Sequence, residues 1–337
     1  MINSQKILLD HGSGGRASQT LISEIILKNF ANPILADLDD SAALKLQSSE
    51  IAFSTDSYTV DPIFFPGGDI GELAINGTVN DLAMKGAIPL YLSVGFIIEE
   101  GFSLESFKKI IMSMRAAAQI AGVQIVTGDT KVVGKGSADK IFINTSGIGI
   151  IPENVFISGK NAKPGDKIIL SGTIGDHGIT IMTQREGLRL DSPLRSDSAP
   201  LNKMVAELLE NNIEIHVLRD PTRGGLATTL NEIALQSKIG IQIFEDTIPV
   251  SGPVASACEL LGLDPLMLAN EGKLIAFVPS DVARLALGII KKNKYGKMAS
   301  IIGEVTSEHQ GKVIMKTTIG GSRIVDMLTG SPLPRIC

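Results

Sequence analysis

Short, β-rich apolar runs alternate with longer stretches of helical periodicity along most of this chain. That alternation restricts it to mixed α/β architectures. The clearest helix covers residues 103–121, where Leu104, Phe107, Ile110, Ile111, Met114 and Ala118 recur at steps of three and four. Ser103 caps it and Gly122 stops it. Residues 69–85 form a second helix, with Asp69 at its cap, Glu72 in its first turn and Gly86 as its stop. Residues 51–55, 90–98, 123–126 and 141–151 read as strands in the same half. The second half repeats the style. Strands fit 167–171, 239–244, 273–278, 300–305 and 312–317, and helices fit 201–210, 225–236, 251–261 and 281–291.

A length of 337 residues exceeds what one hydrophobic core usually holds, so about two domains are expected. Composition shifts near residues 152–164. We therefore expect a Gly-rich segment over 1–40, domains over 41–155 and 156–318, and a tail over 319–337. The tail carries Gly320, Gly321, Gly330, Pro332 and Pro334, and reads as a mobile, partly polyproline arm. Seven such residues at about 3.1 Å each reach roughly 20 Å, enough to carry a terminal thiol between sites.

Several function classes are excluded at once. Two cysteines make no disulfide scaffold, and no CxxC pair offers a zinc site. Acidic residues outnumber basic ones, 36 to 31, and no basic cluster exists, which argues against nucleic acid as a partner. No apolar run approaches the roughly 18 residues of a membrane span, and no signal-peptide pattern opens the sequence. A cytoplasmic protein with reduced thiols and no membrane partner is expected.

The chemistry-bearing residues are mostly acids beside glycines. Asp40, Asp56, Asp81 and Asp129 lie in separate motifs, with Asp56 and Asp129 expected just after strands and Asp81 on a helix next to Asn80. Converging carboxylates are hard oxygen ligands suited to Mg²⁺ and hence to nucleotide phosphates; singly, each also reads as an ordinary cap or turn residue. Gly12, Gly14 and Gly15 sit in a loop before a helix, where backbone amides can cradle phosphate. Gly12-x-Gly14-x-x-Ala17 also matches a loose dinucleotide fingerprint, although the following region is too polar for the second strand that fold needs. No P-loop motif exists, so ATP would be held without one. Gly67 and Gly68 precede the second helix and suit either a ligand loop or a plain turn. Arg219-Asp220-Pro221-Thr222-Arg223-Gly224-Gly225 opens another helix with anion-friendly geometry. His177, a lone histidine, reads as structural, and Cys258 reads as a core thiol on a helix face. Cys337 is a potential nucleophile whose ionisation its own carboxylate disfavours and Arg335 partly offsets.

These motifs carry a resemblance. Ser54-Thr55-Asp56-Ser57, Phe64 through Gly71 and Gly77 through Ala83 resemble the ATP-binding PurM-type superfamily. Thr127 through Val133, Arg219 through Gly225 and above all Pro334-Arg335-Ile336-Cys337 resemble its HypE family, the carbamoyl dehydratases of nickel–iron hydrogenase maturation. The resemblance runs from His11 to Cys337 and implies a mechanism. A HypF-type carbamoyltransferase loads a carboxamide onto Cys337, and the arm inserts into the ATP site. The carboxamide is dehydrated to a thiocyanate, and the cyano group passes to iron on a HypC–HypD complex. It also implies two α/β domains, each a mixed sheet packed by helices on one side, and a homodimer in which the N-terminal domains pair into a closed barrel. Glu271 is then the candidate base and Lys131 an electrostatic clamp, with exchanged roles if Lys131 is desolvated, while Mg²⁺ sits on Asp56, Asp81, Asp129 and Asp40.

Three alternatives separate cleanly on paper. Another ATP-dependent enzyme of the superfamily, a small-molecule kinase or cyclase, would not need Cys337. A non-catalytic thiol carrier would not need Asp56, Asp81 and Asp129. A dehydrogenase would depend on Gly12 to Ala17.

Overall fold

The computed structural model describes residues 5–12, 16–36, 44, 46, 50–186, 194–327 and 335–337. In the N-terminal half, four strands, β1 (Ile51–Tyr58), β2 (Ile88–Glu99), β3 (Gln124–Val133) and β4 (Ile141–Ile150), form one sheet in the order β1-β4-β2-β3. The β2–β3 pair is parallel and the others antiparallel, so the sheet is mixed. Helices α1 (Ile70–Met84) and α2 (Leu104–Ala121) cover one face only. Leu92, Val94, Phe96 and Ile98 alternate inward on β2 and pack with Phe107, Ile110 and Met114 of α2. On the other face Phe53 is 67% exposed, and Ile51 and Ile97 are also exposed.

Helix α1 is buried nearly all round, which a helix sandwiched between two layers requires. Its outer side joins a second domain: Ala83 and Met84 share a core with Val205 and Leu208 of helix α4. That domain holds α3 (Asp176–Glu186), α4 (Asn202–Glu210), α5 (Gly225–Ser237), α6 (Gly252–Leu261) and α7 (Ala283–Lys292). Its strands are β5 (Lys167–Leu170), β6 (Val217–Arg219), β7 (Gly240–Phe244), β8 (Ile275–Val278), β9 (Ser300–Thr306), β10 (Val313–Lys316) and β11 (Ser322–Val325). They form a seven-stranded sheet, β11-β10-β7-β9-β5-β8-β6.

The α/β class read from the sequence holds, and four details differ. First, the larger sheet is covered on both faces, not one. On β8, Ile275 and Phe277 enter one core with Leu226 and Leu230 of α5, while Ala276 and Val278 enter the other with Val205 and Ile290. Second, β3 continues to Val133, so Asp129 lies within a strand, as does Asp56 on β1. Their polar neighbours hid the strands because one sheet face is exposed. Third, α3 and β6 occupy stretches for which no element was expected. Fourth, Ser322–Val325 pairs with β10, so the arm expected from residue 319 first completes the sheet edge. Residues 328–334 of that arm lie outside the described residues. Cys258 is buried among Ile179, Val254 and Leu268, as expected of a core thiol.

Candidate active site

Residues 335–337 are seated against the N-terminal core. Ile336 is buried in the cluster that holds Tyr58, Val60 and Ile181. The Arg335 guanidinium donates from Nε to the Thr59 carbonyl at 2.8 Å and from Nη1 to Asp139 Oδ2 at 2.5 Å, and it overlies the Phe142 ring. That contact holds the Asp139 carboxyl below its usual range. The Arg335 carbonyl accepts from the Asp61 amide at 3.3 Å and from Arg185. His177 Nε2 lies 2.7 Å from the Ile336 carbonyl, which can only accept, so Nε2 carries the ring proton and Nδ1 of the neutral ring accepts from Ser196 Oγ at 2.8 Å. Burial pushes His177 down, keeping it neutral. Finally, the Thr59 amide donates to the Cys337 main-chain oxygen at 3.0 Å.

This seat presents the thiol to a buried acid. Arg223 Nη2 donates to Cys337 Sγ at 3.3 Å. Burial, followed by the Glu271 carboxylate, still pushes the thiol up to about 11, against the opposing effect of Arg223. Glu271 is 4% exposed. Burial first, then Asp197, Asp220, Asp56 and Asp81, hold its carboxyl well above the ordinary range. Its Oε1 is buried and has no hydrogen-bond partner among the described residues. A buried carboxyl with an unspent acceptor, beside a sulfur, is equipped to take a proton from a group carried on that sulfur.

Further acids stand beyond the thiol. Ser54 Oγ donates to Asp81 Oδ2 at 2.7 Å. Burial and then Asp56 raise Asp81, while burial and then Asp81 raise Asp220. Arg219 eases both but is itself paired with Glu232 at 2.6 Å. A cleft of about 600 Å³ opens beside them, lined among others by Ser54, Asp81, Lys85, Ser158, Arg219 and Asp220. Among the described residues no three acidic or sulfur groups converge on one metal position. Mg²⁺ does not require that, because it keeps waters and takes one or two carboxylates plus phosphate oxygens. Beyond burial, Asp56 raises the Asp81 carboxyl and both raise that of Asp220; one or two of the three fit such an ion, with phosphate oxygens and water completing its shell.

Not every expected residue joins this group. Asp56 lies opposite Thr145, whose side chain points at α1, so Asp56 shares the helix side of the sheet. Asp129 and Lys131 lie opposite Gly95 and Ile97 on the uncovered side, 3.8 Å from each other and mostly exposed. Three strand spacings, about 14 Å, also separate the edge strands β1 and β3. Within one chain these two residues do not reach Cys337. Asn80 acts through the backbone: its amide donates to the Ala199 carbonyl at 3.0 Å and to the Glu271 carbonyl at 3.5 Å and accepts from the Leu201 amide at 2.8 Å, joining α1 to the second domain. Gly67, at φ +98°, lets the loop approach Ser196, and a Cβ there would lie 2.8 Å from the Ser196 backbone. Gly67 and Gly68 thus form a packing turn. Gly12 ends a helical turn (Leu9–Gly12). Gly14, Gly15 and Asp40 lie outside the described residues.

Other residues were not singled out by sequence. Asp220 and Arg223 sat inside a motif read only as anion-friendly. Thr59, Asp61 and Asp139 carry no local signal, since only the returning tail brings them together, and His177, read as structural, holds the tail's backbone.

Two AIR synthase related domains define the class: residues 38–151 match the N-terminal domain of that protein type and residues 163–316 its C-terminal domain. A carbamoyl dehydratase HypE from Azotobacter vinelandii is 52% identical over 327 residues, spanning 97% of this chain and 96% of that one. A crystal structure of hydrogenase maturation protein HypE in complex with ATP matches with a TM-score of 0.95 at 54% identity, over 98% of this chain and 99% of that chain. HypE from a HypE–HypF complex matches with a TM-score of 0.81 at 53% identity, over 91% and 99%. This chain belongs to the HypE family of carbamoyl dehydratases.

Proposed function

We propose that this chain dehydrates a carboxamide carried on Cys337 to a thiocyanate, driven by ATP, for the cyanide ligands of hydrogenase iron. The observation that carries the reading is the thiol of Cys337, seated at Arg223 beside the buried, unpaired Glu271. The balance is R–S–C(=O)NH₂ plus ATP giving R–S–C≡N, ADP, phosphate and a proton. Amide oxygen is a poor leaving group, so it first attacks the γ-phosphorus of ATP: the new O–P bond forms, the bond to ADP breaks, and one N–H proton is released to water. The C–O bond then breaks, phosphate leaves, and the second N–H proton goes to base. Glu271 is that base, and Arg223 steadies the charge that develops on the oxygen. Lys131, two-thirds exposed in the single chain, is assigned the clamp.

Mg²⁺ on Asp56, Asp81 and Asp220 would neutralise the phosphates. Asp220→Asn tests this. A carboxyl raised in the folded state lowers stability as pH climbs from the ordinary carboxylate range through the raised value. Removing that charge should raise the melting temperature of the metal-free protein at pH 8, by about 2–4 °C per ~1 kcal/mol recovered. The gain should fade on acidification. Mg-ATP should stabilise the native chain but no longer the variant; an unchanged Mg-ATP response would remove Asp220 from the site.

A homodimer places Asp129 and Lys131. The uncovered sheet face, with Phe53 and Ile97 exposed, suits pairing with a second copy. Closing two four-stranded sheets into a barrel sets edge against edge, and Asp129 and Lys131, which face the uncovered side, would then line its interior. We assign loading to a HypF-type carbamoyltransferase and acceptance of the cyano group to a HypC–HypD complex, in the cytoplasm, where thiols stay reduced and ATP is available.

The direct test is intact-mass measurement of the full chain incubated with the carbamoyltransferase, carbamoyl phosphate and ATP. A carboxamide should be gained and one water then lost, and Cys337→Ala should abolish both. ATP turnover with no mass change, indifferent to Cys337→Ala, would favour a small-molecule kinase instead.

A further inference from the structure

The Asp197 side chain is only 5% exposed, and its carboxylate is enclosed by donors. One oxygen accepts from the Glu271 amide at 3.1 Å, and the other accepts from the Gly272 amide at 3.2 Å and from Lys273 Nζ at 2.9 Å. Three consecutive residues are thus tied to one carboxylate. Gly272 is built for this approach, because a Cβ there would run into the Asp197 carbonyl.

The segment bearing Asp197 is itself pinned on every side. The Ser196 amide donates to the Pro66 carbonyl at 2.8 Å. Asn76 donates to Ser198 Oγ at 3.1 Å, and Asn80 holds Ala199 and Leu201. Ser196 Oγ meets His177, whose other nitrogen holds the Ile336 carbonyl. The same short segment therefore contacts the receptor of the tail at one residue and the backbone of Glu271 at the next.

We propose that Asp197 is a positioning residue for the dehydration: it fixes the backbone of 271–273 so that the Glu271 carboxyl faces the group on Cys337. With Ser196 it registers that carboxyl to the seated tail. The inference rests on Glu271 being the base. Placement matters because a shift of about 1 Å at a reacting group costs about a hundredfold in rate. Glu271 has no side-chain partner on Oε1 to correct such a shift, so its backbone tie is what sets its direction.

A double-mutant cycle on the full-length protein tests this. Asp197→Asn, Glu271→Gln and the double variant are each loaded with carboxamide by the carbamoyltransferase. Single-turnover dehydration on adding Mg-ATP is then followed by intact mass, and the KM for ATP is measured in parallel. Asp197→Asn should slow dehydration about ten- to hundredfold, with loading and the ATP KM near native. In the Glu271→Gln background it should do nothing more, because the carboxyl it positions is gone. Asp197→Asn leaves Lys273 buried and unpaired, so Asp197→Asn with Lys273→Met, which removes both charges, guards against misfolding and should show the same slowing. Native-like dehydration in a folded Asp197 variant would overturn the proposal, as would losses that multiply with Glu271→Gln. Native-like dehydration by Glu271→Gln alone would instead overturn the base assignment itself.

Discussion

Glu271→Gln is expected to accumulate carboxamide on Cys337 without converting it. The substitution keeps size and hydrogen-bonding shape but cannot accept the nitrogen's proton. General-base catalysis is worth roughly 10²–10⁴ in rate, so conversion should fall by about that factor. Loading should be untouched, because it requires the thiol and the partner, not the interior acid. The pH dependence gives a second signature. Burial and four acidic neighbours hold Glu271 above the usual carboxylate range, so the native rate should climb as pH rises through that raised value, where the base ionises. The Gln variant should lose this climb. A Gln variant that keeps both native rate and native pH profile would rule Glu271 out.

Local sequence carried the fold where one face of an element is buried and the other is not. The spacing of Leu104, Phe107, Ile110 and Met114 and the caps Ser103 and Gly122 appear in α2 as read. It failed where the environment was unusual. Thr127 to Lys131 looks like a loop because its outward face is uncovered, and α3 looks like a break because Asp176 and His177 serve interior contacts. The site divided in the same way. Asp56, Asp81 and Cys337 announced themselves by type and motif, and Glu271 entered only through the family resemblance. Asp197, Thr59 and Asp139 did not, because each acts through partners more than 70 residues away along the chain. Asp129 and Lys131 show a further limit: motif reading groups them with Asp56, while the sheet sets them on its opposite face and three strands away.

Arg335→Ala should release the thiol that the seat holds back. The native side chain contributes the bonds to Thr59 and Asp139 and the contact over Phe142, and its loss leaves the seat to main-chain contacts and His177. While seated, the Cys337 thiol is pushed up to about 11 from an ordinary 9.0. At neutral pH that means about a hundredfold less thiolate. A more basic thiolate is also more nucleophilic, with a Brønsted slope of about 0.4–0.5, so the net loss of reactivity is about tenfold. Iodoacetamide should therefore alkylate Cys337 about tenfold faster in Arg335→Ala, with a smaller gain in Asp139→Asn, which removes one contact only. Carboxamide loading should persist or quicken, since a seated thiol is a poor nucleophile and loading needs the arm out. Dehydration should fall, because the loaded sulfur no longer rests beside Arg223 and Glu271. Unchanged alkylation together with native dehydration would show that Arg335 does not hold the tail. Faster alkylation with native dehydration would show that it holds the tail but that conversion does not depend on that hold. On this reading the seat opposes one half of the reaction and enables the other, so loading and dehydration should respond in opposite directions to Arg335→Ala.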